Sequence, residues 1–137
     1  SENRAIDFDG LVQFSRNAIA GNKDTLLIEG IGGIMVPLDK SRTVLDWMSV
    51  LRIPIILVAG TYVGTMSHTL TSLEVLVRRN LDVAAVVVSE SAGSAASLEE
   101  TVATVQRFAN SIDVVGIPRL APDSGDHPAF AHLAALM

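Results

Sequence analysis

The sequence predicts an α/β domain built on a parallel sheet of about four strands with helices on both faces. Three observations lead there. Apolar runs of strand length, Thr25 to Ile28, Pro54 to Ala59, Val83 to Val88 and Ile112 to Val115, recur along the chain, and continuous rather than alternating apolar runs are what strands covered on both faces look like. Each run follows a segment whose apolar residues return at helical spacing. No hairpin turn signal joins neighbouring runs, so the connections read as helical crossovers between parallel strands.

Taken in order, Leu11, Phe14 and Ala18 recur at helical spacing after Gly10, and Gly21-Asn22 closes that first helix with residues that tolerate positive φ. The first strand, Thr25-Leu26-Leu27-Ile28, ends at Glu29. A second cycle places a helix over Thr43 to Leu51 and a strand over Pro54 to Ala59, ending at Gly60. In the third, Thr65 to Asn80 is helical with Leu70, Leu73, Leu76 and Val77 as its apolar face, ahead of the Val83 to Val88 strand. Ser97-Leu98-Glu99-Glu100 has the form of a capping box and opens a helix to Asn110, before Ile112 to Val115. Pro128, with its φ preset, starts a short final helix capped by Asp126 and carrying Phe130, Leu133 and Leu136. The chain opens on a helix that feeds a strand. This is also how a doubly wound domain reads without its first strands.

A length of 137 residues is one ordinary domain's worth, so residues 1–137 are expected to form a single domain. The 49% hydrophobic content supplies a core and excludes intrinsic disorder. A net charge of −5, with charged residues only 18% of the chain, gives no positive field to draw a phosphodiester backbone, so nucleic acid is not an expected partner. With no cysteine there is no disulfide framework, Cys-ligated zinc site or thiol nucleophile. The longest apolar stretches, Ile53 to Ala59 and Val83 to Val88, fall far short of the roughly 20 residues that span a bilayer. Ser1 to Asp9 is polar and acidic, unlike a signal peptide. A cytoplasmic protein with no membrane partner is expected.

In open parallel sheets ligands bind where the strands' carboxyl ends meet the loops, so the informative residues follow each strand. Glu29-Gly30-Ile31-Gly32-Gly33 sets an acid beside three glycines. Glycines let backbone approach a ligand and present N–H groups to an anion, and a strand-end carboxylate suits a hard cation such as Mg²⁺. Nucleotide chemistry and a plain glycine-rich turn with a solvated Glu both fit. A dinucleotide-binding Gly-x-Gly-x-x-Gly fails, because Met35 stands at its third position and Pro37 blocks the helix due there.

Gly60 to His68 is a loop entering a helix whose amino end, with the Thr65 and Ser67 hydroxyls, could hold a carboxylate or phosphate or could be an ordinary cap. His68 in the first turn fits a general base or a hydrogen-bonded structural residue. Ser89-Glu90-Ser91 and Gly116-Ile117-Pro118-Arg119-Leu120 are placed to frame a base or ring, and Arg119 to pair with phosphate or simply to be solvated. His127 and His132 have no metal-ligand company at a recognisable spacing. The chain carries no Gly-x-x-x-x-Gly-Lys-[Ser/Thr] loop, no Gly-x-Ser-x-Gly elbow and no His-Glu-x-x-His, and its two lysines, Lys23 and Lys40, lie outside glycine-rich loops.

These loops, in this order, resemble dethiobiotin synthetase, specifically its carboxy-terminal half. The resemblance runs from Thr25 onward through Leu27-Ile28-Glu29-Gly30-Ile31-Gly32-Gly33, Val36-Pro37-Leu38, Asp46-Trp47, Pro54 to Val58, Gly64 to Thr71 and Gly116-Ile117-Pro118. It implies a P-loop NTPase-like doubly wound fold, usually a homodimer, that uses ATP and Mg²⁺. In that family 7,8-diaminononanoate takes up CO₂ as a carbamate, ATP phosphorylates the carbamate, and the second amine displaces phosphate to close the ureido ring. By the resemblance, Glu29 is the Mg²⁺ ligand. Gly30, Ile31, Gly32 and Gly33 form the nucleotide and substrate loop. Gly64, Thr65, Met66 and Ser67 meet substrate across the dimer. Ser89, Glu90, Pro118, Arg119 and Leu120 surround the adenine.

The chain departs from the family pattern at several points. Ile31 stands where the family has Ala, Tyr62 replaces a basic residue, and Ser89 replaces the adenine-reading Asn, losing a two-donor amide. The late carboxylate position holds Gly125, with Asp123 and Asp126 nearby. The family's amino-terminal half, which brings the first strand, the P-loop, a catalytic lysine and a second Mg²⁺ ligand, has no counterpart in these residues. No catalytic residue is therefore assigned, and the chain by itself is expected to be inactive. Two other readings are a noncatalytic domain of the same fold that binds a ligand or mediates dimerisation, and an ATP enzyme related to cobyrinate amide synthase.

Overall fold

A computed structural model describes residues 6–94, 96–121 and 127–136. The chain divides into two compact units, one ending at Ile53 and the other beginning at Pro54.

The first unit holds two helices, α1 (Phe8–Gly21) and α2 (Val44–Leu51). α1 begins three residues before the Leu11 expected from periodicity, because the Asp7 carboxylate accepts the Gly10 N–H at 3.1 Å and caps the helix from outside Gly10. Phe8, Val12 and Ser15 are buried, whereas Phe14 is 73% exposed. Phe8, Val12, Val44 and Trp47 form the core of this unit, with Leu11, Ile28, Val36, Leu38, Met48 and Leu51 packed on it. α2 is entered through Thr43, whose N–H and hydroxyl both donate to Asp46 Oδ2, at 2.8 and 2.9 Å.

The expected first strand is a correction. Thr25 to Ile28 is irregular in conformation, with Leu27 73% exposed and Ile28 alone among the four packed against the core. A parallel strand exists only where a neighbouring backbone takes its N–H and C=O groups. Among the described residues none runs beside this segment.

The second unit is a three-stranded parallel sheet in the order β1 (Ile55–Gly60), β2 (Val83–Ser89), β3 (Asp113–Ile117), joined by α3 (Thr65–Arg78) and α4 (Leu98–Phe108) and followed by α5 (Pro128–Ala135). The strand count is therefore three among the described residues rather than about four, and the α/β class with a parallel sheet holds. Leu57, Val86 and Val114 stand side by side in register. They join one core with Met66 and Leu73 of α3, Val105 of α4 and Ala109 just after it, so these two helices share a face of the sheet. Val86 and Val105 are fully buried. α5 packs on β3, and its cap is His127, whose Nδ1 accepts the Ala129 N–H at 3.2 Å. Asp123, Gly125 and Asp126 lie outside the described residues.

Each helix that precedes a strand ends in one residue of left-handed conformation that is not glycine. These are Arg52 after α2, Asn80 after α3 and Asn110 after α4, with φ of 52°, 51° and 53°. At Asn80 the Asn80 N–H donates to the Val77 carbonyl (2.9 Å) and the Leu81 N–H to that of Leu76 (3.1 Å), which satisfies the last carbonyls of α3. No helix among the described residues is long and apolar enough to cross a membrane.

Candidate functional site

In the first unit the glycine loop leads into α2. Glu29 is exposed, and the Ile31 side chain is 87% exposed. Gly32 has φ +87°, and a Cβ there would stand 2.7 Å from Val36 Cγ2, so the turn excludes any side chain at this position. The loop's exit is fastened to α2, whose Val44 and Leu45 N–H groups donate to the Val36 and Ile34 carbonyls at 3.0 and 2.7 Å. Two of the first N–H groups of α2 are thus used internally. Glu29 stands in no cluster of three or more acidic or histidine side chains among the described residues. It could give a cation one carboxylate oxygen, a pattern that suits Mg²⁺ held mainly by phosphates and water.

Beyond the loop, Asp39 organises the Leu38 to Thr43 turn. Its Oδ1 accepts the Ser41 and Arg42 N–H groups, each at 2.8 Å, and its Oδ2 accepts Arg42 Nε–H at 2.8 Å. The Ser41 N–H, then the Arg42 N–H and guanidinium, hold the Asp39 carboxyl below the ordinary aspartate range against the opposing effect of burial. The Arg42 guanidinium also lies 4.3 Å from the centre of the Phe8 ring.

In the second unit the loops after the three strands converge. Glu90 follows β2, where its N–H donates to the Ile117 carbonyl at 2.9 Å, and its Oε2 accepts the Arg119 N–H at 2.9 Å. Expected residues from two segments are thereby joined. An open cleft of about 460 Å³ lies there, lined by Glu90, Ser91, Gly93, Ser94, Ser97 and Arg119 among others. Ser97 caps α4 at its edge, accepting the Glu100 N–H at 3.1 Å.

The loop after β1 is tied to the loop after β2 by residues that no sequence motif marks. Thr61, wholly buried, donates its N–H to Ser91 Oγ (3.1 Å) and accepts the Ser91 N–H at Oγ1 (2.9 Å), while Ser94 Oγ donates to its carbonyl. Gly60 lies so close that a Cβ would stand 2.6 Å from Ser91 Oγ. The density of Ser and Thr after β1 and β2 was the available signal.

At the start of α3, Gly64 is the N-cap residue, and Thr65 Oγ1 donates to the Gly60 carbonyl at 2.6 Å, so the Thr65 hydroxyl serves the fold. Met66 packs into the sheet core, which leaves its backbone N–H as its contribution to a ligand. Ser67 is exposed. The Tyr62 hydroxyl and His68 Nδ1 lie 3.2 Å apart, so His68 is hydrogen-bonded within the loop.

The family described as AAA domain matches residues 1–124. Among curated proteins the chain is 50% identical over 86 residues to the ATP-dependent dethiobiotin synthetase of Acidiphilium cryptum, a match covering 63% of this chain and 39% of that one. It is 42% identical over 119 residues to the ATP-dependent dethiobiotin synthetase of Caulobacter vibrioides (86% and 54%). It is 32% identical over 132 residues to that of Cellvibrio japonicus (96% and 57%). The chain spans about half the length of the curated relatives it matches. The resemblance drawn from the strand-end loops and the similarity over most of the chain agree. With its parallel sheet, helical crossovers and loops gathered at the strand ends, the chain belongs to the AAA domain family.

Proposed function

We propose that this chain is the carboxy-terminal part of an ATP-dependent dethiobiotin synthetase, an enzyme that closes a ureido ring on 7,8-diaminononanoate with CO₂. The observation that carries the reading is the junction of Glu90 with Arg119 beside an open cleft, where the family's base-binding segments are expected. It is supported by relatives named ATP-dependent dethiobiotin synthetase at 42–50% identity.

In this reading Ser89, Glu90, Pro118, Arg119 and Leu120 frame the adenine. Glu29 offers one oxygen to Mg²⁺, and the Gly30 to Gly33 loop lies along nucleotide and substrate with Ile31 narrowing it. Within Gly64 to Ser67, the Gly64, Met66 and Ser67 N–H groups and the Ser67 hydroxyl meet the substrate of a partner subunit in a cytoplasmic homodimer, while Thr65 holds the loop. Bound ATP with Mg²⁺ supplies the phosphoryl group that activates the carbamate. The phosphate-cradling loop and its lysine are not among these 137 residues. They would come from an amino-terminal half.

A second reading, a noncatalytic ligand-binding or dimerisation domain, is favoured by one observation. Tyr62 stands where the family has a basic residue, and its hydroxyl is engaged with His68. A chimera separates the two. Residues 25–121 replace the matching segment of the Caulobacter vibrioides enzyme, and dethiobiotin formation from ATP, CO₂ and 7,8-diaminononanoate is measured. Product formation is expected. A folded chimera that makes none would overturn the catalytic reading in favour of the noncatalytic one.

A further inference from the structure

The loop that follows β1 and the loop that lines the cleft after β2 are 30 residues apart in sequence, yet they meet through one buried side chain. Thr61 uses all of its polar groups in the meeting. Its N–H and Oγ1 are exchanged with Ser91, and its carbonyl accepts from the Ser94 hydroxyl, whose single proton is shared with the Ala96 carbonyl 2.8 Å away. On the other side Thr61 is bracketed by Gly60 and Tyr62, and Thr65 holds both. The Thr65 hydroxyl donates to the Gly60 carbonyl, and the Thr65 N–H donates to the Tyr62 carbonyl at 3.1 Å.

We propose that Thr61 is a positioning residue that couples the cleft lined by Glu90, Ser91 and Ser94 to the amino end of α3. Ser91 and Ser94 both line the cleft, so a planar ligand that displaces them pulls on Thr61. Thr61 is 0% exposed, so no water can take over a bond it loses. Breaking its bonds would leave buried polar groups unsatisfied, which is costlier than moving the neighbouring peptides with it. The displacement therefore reaches Gly60 and Tyr62, and through Thr65 the first turn of α3, where His68 accepts or donates at the Tyr62 hydroxyl. What supports the coupling is a continuous hydrogen-bonded connection between the two loops, the kind of contiguous network that can carry it. Occupancy of the base pocket would thus set the geometry of the substrate-facing helix start.

The inference rests on the nucleotide reading above, and the test separates the two. Adenosine, which has no phosphate to touch α3 directly, is titrated into the ¹⁵N-labelled 137-residue chain. Backbone shifts are followed at Ser91, Ser97 and Arg119 for the cleft, and at Tyr62, Gly64 and His68 for the helix start. In the unsubstituted chain both groups shift together. In Thr61→Val, which keeps shape but loses the Oγ1 acceptor, the cleft shifts persist and those at Tyr62, Gly64 and His68 shrink to about half or less. Thr61→Ser restores them, and Ser91→Ala diminishes them as Thr61→Val does, which keeps the test intact if the valine variant does not fold. Cleft shifts without helix-start shifts in the unsubstituted chain, or helix-start shifts undiminished in both Thr61→Val and Ser91→Ala, overturn the coupling alone. Absence of shifts at every residue overturns the nucleotide reading and the coupling with it.

Discussion

Trp47 Nε1–H donates to Ser15 Oγ at 3.2 Å inside the first unit, and Ser15 Oγ in turn donates to the Leu11 carbonyl at 2.8 Å. Both side chains are buried, at 8% and 3% exposure, so the bond satisfies an indole N–H that water cannot reach. Ser15→Ala removes that acceptor and should destabilise the first unit by about 1–3 kcal/mol, the cost of an unsatisfied buried donor. Trp47 is the sole tryptophan, so its fluorescence in a urea titration reports the loss directly.

Gly32 and Gly33 sit next to one another in the same loop and make opposite predictions. With φ +87° and no space for a Cβ, Gly32→Ala should lower stability by about 1–2 kcal/mol from backbone conformation alone, before the clash with Val36. A Cβ at Gly33 meets nothing within 4 Å, and its φ is not positive, so Gly33→Ala should be close to neutral. Paired thermal denaturation of the two variants checks the contrast.

Asp39 gives the first unit an acid-sensitive turn. Its carboxyl is held below the ordinary aspartate range by the Ser41 N–H first and then by Arg42. The folded value lies below the unfolded one, so the stabilisation is fully present above the unfolded value and is lost as pH falls through the folded value. Asp39→Asn should therefore lower stability at neutral pH and flatten the acid limb of the stability curve. Denaturant midpoints across the acid range, read by Trp47 fluorescence, measure both.

Glu90 fastens Arg119 by accepting its N–H. Glu90→Ala leaves Pro118 to Leu120 untied at that point, and under the proposed nucleotide reading ATP affinity should fall about fivefold, the equivalent of one ordinary hydrogen bond. Glu90→Gln keeps an acceptor oxygen and should fall less. Isothermal titration with ATP on both variants tests the order.

The helices and three of the strands were legible because periodicity and apolar runs are local properties. Val83 to Val88 reads as a buried strand and is one. Thr25 to Ile28 reads the same way, yet a strand also needs a neighbour, and an apolar run does not announce whether one is alongside. Phe14 recurs at helical spacing with Leu11 and Ala18, yet it is exposed, because the face of α1 that packs on α2 runs through Phe8, Leu11, Val12 and Ser15. Glu90 and Arg119 were found through their positions after successive strands. Thr61 and Ser91 lie in loops marked by the same positions, but their pairing with each other and with Ser94 was not legible, since hydroxyls paired across 30 residues leave no spacing to recognise.

The three left-handed residues that end helices, Arg52, Asn80 and Asn110, have a counterpart in the loops at the opposite rim of the strands. Where helices hand over to strands, the chain repeats nearly one backbone angle, and little chemistry is exposed to variation. Where strands hand over to helices, no two loops are alike: one is fastened by hydroxyls, one lines a cleft, one carries an arginine. The amino rim keeps the strands aimed, so a substitution at Tyr62, outside the paired strands, need not disturb how the sheet is wound.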